Sequence, residues 1–316
     1  MHLSVRLPRS TTWAPLTGLR PAGYMLLASA CLAAVETIGG SFISGMSIVQ
    51  LVWCRYAVHL MFMLVVLAPR RGTAIVRSRH LGLQVLRSMT MLVMPLAFVL
   101  AVRDMPPNDV WSAYWLSPLT MLVLGVAVLH ERVGPVRWIA GGVGLLAAAL
   151  IEQPDRGLLT VALLPAIGVG AAISVHLLLS RVLRDDDPLA SLFHSALWVF
   201  AVISLAVPFV WDPPTPRELL GIGFVGLAGM ACLYLLARAG ETAPLPVVAS
   251  FAYTELIWLL VFNVAIYHLE PDRWAAAGAL IIVALALFML VYEHRSATRA
   301  TPRQRSVPAS ARIGRR

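Results

Sequence analysis

Four charged residues, Glu36, Arg55, Arg87 and Glu255, lie inside long apolar runs of this 316-residue chain. A charge at the centre of a bilayer costs about 2.5–3.5 kcal/mol on insertion scales. It is retained where it finds a partner, a wet cavity or a ligand. By depth along their runs, Glu36 and Arg55 fall in the outer half, Arg87 in the inner half and Glu255 near the middle. Opposite charges at matching depth offset each other's desolvation. Glu36 and Arg55 are therefore expected to form a structural or gating pair. Glu255, with Arg87 as the second candidate, is expected to face a central cavity. Glu255 is also a candidate carrier of a coupling proton.

Aromatic and amide side chains form a second group. Tyr114, Trp115, Tyr253, Trp258 and Tyr234 have the flat faces that stack on a planar ligand. The same rings also serve as ordinary packing or as interfacial anchors. Asn263 is a candidate for an interhelical hydrogen bond or a ligand contact. His176 and His194, toward one end of their runs, read as interfacial.

The elements that position these residues follow from composition. The chain is 59% hydrophobic and only 13% charged. A soluble domain carries about 25% charged residues, so long uncharged runs here mean a polytopic membrane protein. The formal net charge is +9, yet the basic residues sit in short loops and tails, which argues against nucleic acid as the partner. All of them are Arg. Without Lys, no side-chain Schiff base forms. Cys31, Cys54 and Cys232 match no metal spacing and read as small buried hydrophobes. Neither a cofactor nor a metal is expected.

About 20 apolar residues cross a hydrocarbon core of about 30 Å. On that basis ten spans are expected, at 22–41, 46–68, 82–102, 109–129, 136–151, 158–181, 189–210, 219–238, 245–267 and 274–292. Breakers separate them, such as Met105-Pro106-Pro107-Asn108, Glu152-Gln153-Pro154-Asp155 and Asp212-Pro213-Pro214. Arg70, Arg71, Arg77, Arg79, Arg132, Arg137, Arg181, Arg184 and Arg238 fall in alternate loops, on the side of both tails. Only Arg103, Arg156, Arg217 and Arg273 fall opposite. The positive-inside rule then puts both termini in the cytoplasm, with the chain in the cell's inner membrane.

The hinge His130-Glu131-Arg132-Val133-Gly134-Pro135 recurs near the C-terminus as His268-Leu269-Glu270-Pro271-Asp272. Laying Glu131 on Glu270 also lays Tyr114 on Tyr253 and Pro107 on Pro246 without a gap. A repeat at this spacing implies two copies of five spans. An odd number per copy inverts one copy against the other. The expected fold is all-α transmembrane, ten helices as two inverted five-helix repeats. Residues 1–21 form a cytoplasmic N-terminal tail, 22–151 the first repeat, 158–293 the second, and 294–316 a disordered basic tail. Spans 1, 3, 4, 6, 8 and 9 are expected around the cavity. Small residues on a four-residue stride, Ala140, Gly144 and Ala148 with Ala275 and Ala279, mark spans 5 and 10 as peripheral packing helices. A homodimer contact is one use of such a stripe. Glu131 and Glu270 read as capping residues ahead of helix starts.

Several short stretches resemble the EamA family of the drug/metabolite transporter superfamily. They are Leu86-Arg87-Ser88, Met105-Pro106, Trp115-Leu116-Ser117-Pro118, and Glu131-Arg132-Val133 with Trp138 and Gly141. In the second half they are Phe251 to Trp258, Glu270-Pro271-Asp272, Trp274, Gly278 and Ile281-Ile282. The resemblance covers roughly residues 22–294. It implies two inverted five-helix repeats and alternating-access transport of a small metabolite. Ser250, Glu255 and Asn263 depart from the family pattern.

The expected function is a secondary active transporter moving an amino-acid-like or aromatic, heterocyclic metabolite. Its partners would be that small-molecule substrate and the lipid bilayer. The alternative is an integral-membrane enzyme acting on a lipid-linked or small polar substrate. That chemistry needs clustered acids or metal ligands. The nearest cluster, Asp185-Asp186-Asp187, reads as a solvated linker. No Walker motif is present.

Overall fold

A computed structural model describes residues 20–42, 45–154 and 163–305. The protein is all-α and transmembrane. Among the described residues, nine helical segments are long and apolar enough to cross a membrane, and Pro188–Ile203 is a shorter apolar helix. The start of the expected sixth span, the first 19 residues of the N-terminal tail and the last 11 of the C-terminal tail lie outside the described residues.

Helix α1 (Arg20–Ala34) runs into a π-helical turn, Val35–Gly39. Helix α2 is Ile48–Phe62, continued by a second π turn, Met63–Leu67. Then follow α3 (Leu81–Ala101), α4 (Pro107–Tyr114), α5 (Ser117–Ala127) and α6 (Pro135–Glu152). The remaining helices are α7 (Leu163–Val182), α8 (Pro188–Ile203), α9 (Pro216–Thr242), α10 (Leu245–Ala252), α11 (Thr254–Tyr267) and α12 (Arg273–Arg305).

Helix starts follow local chemistry. Proline stands in the first turn of α6, α8 and α9, where its missing N–H leaves nothing unpaired. Thr215 and Glu218 form a reciprocal capping box at α9: the Glu218 N–H donates to Thr215 Oγ1 at 3.3 Å, and the Thr215 N–H donates to Glu218 Oε2 at 2.7 Å.

Helix α1 packs on α9 and α11, α3 on α7, α5 on α10, and α6 on α12. Small residues allow close approach at α6. A Cβ on Gly278 would lie 2.6 Å from the Ala147 carbonyl oxygen. A Cβ on Gly144 would lie 2.3 Å from the Tyr253 ring. Ala140, Gly144 and Ala148 are thus buried inside the chain, and their stride offers no surface to a second copy. Outward-facing Leu280, Leu287, Phe288 and Val291 of α12 are exposed, as lipid contact requires.

The structure departs from expectation in three places. Helix α8 ends at Ile203 rather than near 210, because Ser204 Oγ donates back to the Phe200 carbonyl at 2.7 Å and Pro208 follows with no N–H to give. Helix α12 continues to Arg305, so the tail expected to be disordered from 294 is helical over its first part. Ala, Arg and Gln are strong helix formers there.

The third departure is the aspartate run. It is no solvated linker. Asp186 is buried and accepts from Ser78 Oγ at 2.6 Å, Gln84 Nε2 at 3.0 Å and the Arg79 N–H at 3.2 Å. Asp187 caps α8 through the Leu189 N–H at 3.0 Å and pairs with Arg71 at 3.4 Å. Burial alone would raise the Asp186 carboxyl, but the three donors outweigh it and hold it below the ordinary carboxylate range. A depressed folded value stabilises the protein above the unfolded pKa of about 3.9 and is lost as pH falls toward the folded one. Asp186→Asn should therefore cost about 1.5–3 kcal/mol at neutral pH, the range for hydrogen bonds to a charged group. The gap from the parent should close below about pH 4. Thermal unfolding of both proteins in detergent across a pH series checks this. A gap that stays constant with pH would remove the charge from the explanation.

Candidate functional site

Two of the spans are broken, and each break adjoins one of the paired tyrosines, Tyr114 and Tyr253. Helix α4 stops at Tyr114 and α5 starts at Ser117; α10 stops at Ala252 and α11 starts at Thr254. At the first break Pro118 removes a ladder donor. Inside a membrane, freed carbonyls need partners from neighbouring helices. Here they have them. Ser174 Oγ donates to the Ser117 carbonyl at 3.0 Å. Tyr253 Oη sits 3.2 Å from the Trp115 carbonyl and 3.1 Å from the Gly141 carbonyl. Helix α7 approaches so closely that a Cβ on Gly170 would lie 2.8 Å from the Tyr114 carbonyl. At the second break Thr254 Oγ1 donates to the Phe251 carbonyl at 2.6 Å and lies 3.3 Å from Ser29 Oγ.

Between the breaks lies a crevice. Its polar and aromatic lining is Ser29 of α1, Tyr114 and Trp115 at the first break, Ser117 of α5 and Glu255 of α11. Met25, Leu32, Met121, Ile173, Leu177 and Leu236 close it with apolar surface from α1, α5, α7 and α9. Expected spans 1, 4, 6, 8 and 9 contribute; span 3 does not. The crevice is tight, with room for about one water. Any metabolite would require the surrounding helices to separate.

Glu255 is 3% exposed. Its Oε2 accepts a long bond from Tyr114 Oη at 3.5 Å, and its Oε1 has no partner. Glu36, in the π turn after α1, and Glu152, at the end of α6, both act on Glu255 electrostatically. Glu152 accepts from Trp115 Nε1 at 3.0 Å, so it touches a crevice residue directly. Sequence reasoning took Glu152 for part of a turn. Its signal was an acidic residue on the helical side of Gln153-Pro154.

Other expected site residues fall elsewhere. Glu36 and Arg55 form no ion pair within 4.0 Å among the described residues, although the Arg55 charge acts on Glu36. The Arg55 guanidinium lies over the Tyr56 ring at 5.7 Å and against Gly229. Equal depth was legible, but depth does not say which way a helix turns a side chain. Arg87 is 2% exposed and lies outside the crevice. It donates to Ser180 Oγ at 3.1 Å, to Ser195 Oγ at 2.8 Å and to the Ser191 carbonyl, tying α3 to α7 and α8. Tyr253 is spent on the two carbonyls named above. Trp258 stacks on Phe262 with centroids 6.2 Å apart, Asn263 is half-buried, and Tyr234 is 36% exposed; none of the three lines the crevice. His176 is buried rather than interfacial, 3.3 Å from Thr90 Oγ1. No cluster of metal-ligating side chains occurs among the described residues.

The hinge acid Glu131 works across the bundle. Its Oε2 accepts from the Leu245 N–H at 3.0 Å, at the start of broken helix α10, and its Oε1 lies 3.7 Å from Arg181 Nε. Burial pushes this carboxyl up, while the Arg181 guanidinium and the Leu245 N–H pull it back. Its repeat counterpart Glu270 is exposed.

Residues 20–153 match the model of the EamA-like transporter family. This stretch of the chain is similar to that family. The matched stretch holds α1 to α6, and so the first break and Glu36. Over 181 residues the chain is 26% identical to an S-adenosylmethionine uptake transporter of Rickettsia prowazekii, covering 57% of this chain and 61% of that one. The chain therefore spans about three fifths of that relative's length. It is 23% identical over 258 residues to a riboflavin transporter of Brucella anthropi, covering 78% of this chain and 89% of that one. A crystal structure at 15% identity superposes with a TM-score of 0.75, covering 87% of this chain and 98% of the other, which extends the likeness in fold beyond residues 20–153.

Proposed function

We propose that this protein is a secondary transporter that moves a small metabolite across the cell's inner membrane by alternating access. The reading rests above all on the two helix breaks, beside the paired Tyr114 and Tyr253, around a buried crevice that holds a carboxylate with one unpartnered oxygen. Broken helices at the midplane, in matching places of two halves, are the usual setting of a transporter's binding site. In this reading 22–151 and 158–293 are inverted five-helix repeats, and the arginine distribution puts both termini in the cytoplasm. The two named relatives carry flat heterocyclic solutes. That supports an aromatic or heterocyclic substrate, with Tyr114 and Trp115 as stacking surfaces and Glu255 as the polar anchor. The aspartate run that might have served an enzyme is occupied in holding a loop.

Counterflow in proteoliposomes tests the site. Leu32 lines the crevice and is only half-buried, so Leu32→Trp should fold yet fill the space. Exchange of the accepted solute, first identified by comparing metabolites in deletion and overexpression strains, should fall at least tenfold at equal reconstituted protein. Undiminished exchange would mean that the solute passes elsewhere. Labels that find the two termini on opposite faces would overturn the repeat arrangement.

A further inference from the structure

We propose that the group seated against Glu255 is a positive centre: the substrate is an organic cation, an amine or other onium group on a flat or apolar body. The inference rests on the transport reading and narrows it.

The crevice lining contains one acid and no base. The charged and titratable groups acting on Glu255 are Glu36, Tyr114 and Glu152, two acids and a phenol, with no arginine among them. Each nearby cation is engaged elsewhere. Arg87 is buried among Ser180, Ser191 and Ser195. Arg181 turns to Glu131 and to the Glu241 carbonyl. Arg55 lies over Tyr56, and its charge acts on Glu36 rather than on Glu255. A zwitterion or an anion would bring a carboxylate toward three acids, with only the hydroxyls of Ser29, Ser117 and Tyr114 to receive it. A cation meets the opposite situation. The free Glu255 Oε1 accepts a charge-assisted hydrogen bond or ion contact. The rings of Tyr114 and Trp115, with centroids 4.9 Å apart and planes at 72°, present π surface beside it. Met25 and Met121 add polarizable sulfur that moulds to an apolar body. A buried carboxylate without a counter-charge is costly, and the substrate's positive centre supplies that charge.

The test uses four compounds that share a phenyl ring and differ in charge: 2-phenylethylamine, 2-phenylethanol, 3-phenylpropionate and phenylalanine. Equilibrium dialysis with radiolabelled compound measures binding to the purified full chain, and proteoliposome uptake measures transport. The amine should bind at least tenfold more tightly than the alcohol, with the propionate and the zwitterion weakest. Glu255→Gln should bring the amine down to the level of the alcohol, and Glu255→Asp should keep part of the preference. Size-exclusion profiles report whether each variant folds. If the glutamine variant does not fold, the ranking on the parent protein decides alone. Binding of the propionate or of phenylalanine as tight as that of the amine overturns the proposal, as does an unchanged ranking in a folded Glu255→Gln. Uptake of either of those two without the amine leaves the transport reading standing and removes the cation. Failure of all four to bind also removes the cation, while the counterflow assay on Leu32→Trp still reports on transport.

Discussion

Arg87→Ala should lower stability by about 2–5 kcal/mol, the range for emptying a large buried side chain. Arg87→Met should cost less than about 1.5 kcal/mol, because it keeps volume and removes a buried charge. The difference follows from how the arginine's acceptors are otherwise occupied. Ser180 Oγ donates to the His176 carbonyl at 2.9 Å, and Ser195 Oγ donates to the Ser191 carbonyl at 3.0 Å. Taking the guanidinium away therefore leaves these hydroxyls bonded, and the space is what is lost. Arg87→Lys should fall between the two, since an ammonium cannot span three acceptors as a planar fork does. Apparent unfolding temperatures in detergent give the order, with a fall on the order of 10 °C for the alanine variant. Transport by the methionine variant gives the role. Activity close to the parent's is expected. Loss of activity in a stably folded Arg87→Met would return Arg87 to the substrate path.

Glu131→Ala should cost about 3–5 kcal/mol, because it strips the carboxylate from an Arg181 that is 2% exposed. It also removes the acceptor of the Leu245 N–H, one of the four donors that a helix start leaves unpaired. Glu131→Gln should cost less, since an amide oxygen still accepts from Leu245. Glu270→Ala, at the matching point of the other hinge, should change stability by no more than about 0.5 kcal/mol, as exposed sites do. The comparison separates a cross-bundle role from simple capping. Equal losses at Glu131 and Glu270 would mean that each merely caps its own hinge.

Much of the scaffold was legible. Apolar runs and Pro–Gly breakers located the helices, and the offset carrying Glu131 onto Glu270 also carried Tyr114 onto Tyr253, the two residues at the breaks. The crevice acid Glu255 stood out because a charge in an apolar run is costly. What stayed hidden depends on azimuth and on neutral partners. Glu36 and Arg55 share a depth and a complementary sign, but depth carries no direction. Arg87 is held by serine hydroxyls and a carbonyl from two distant helices, none of which has a charge to betray it. The stride of Ala140, Gly144 and Ala148 announced a close contact without naming its partner, which at Gly144 proved to be the Tyr253 ring. Glu152 was masked by the turn residues after it.

The Tyr253 hydroxyl has one proton and two carbonyls within reach, those of Trp115 and Gly141. Such a three-centre bond is shared, and neither half carries its full strength. If the second break slides by a fraction of an ångström against the first, the proton leans toward one oxygen as it leaves the other, and the hydroxyl stays satisfied throughout. The hydroxyl thus has latitude in its choice of partner, while the ring that carries it is locked against Gly144.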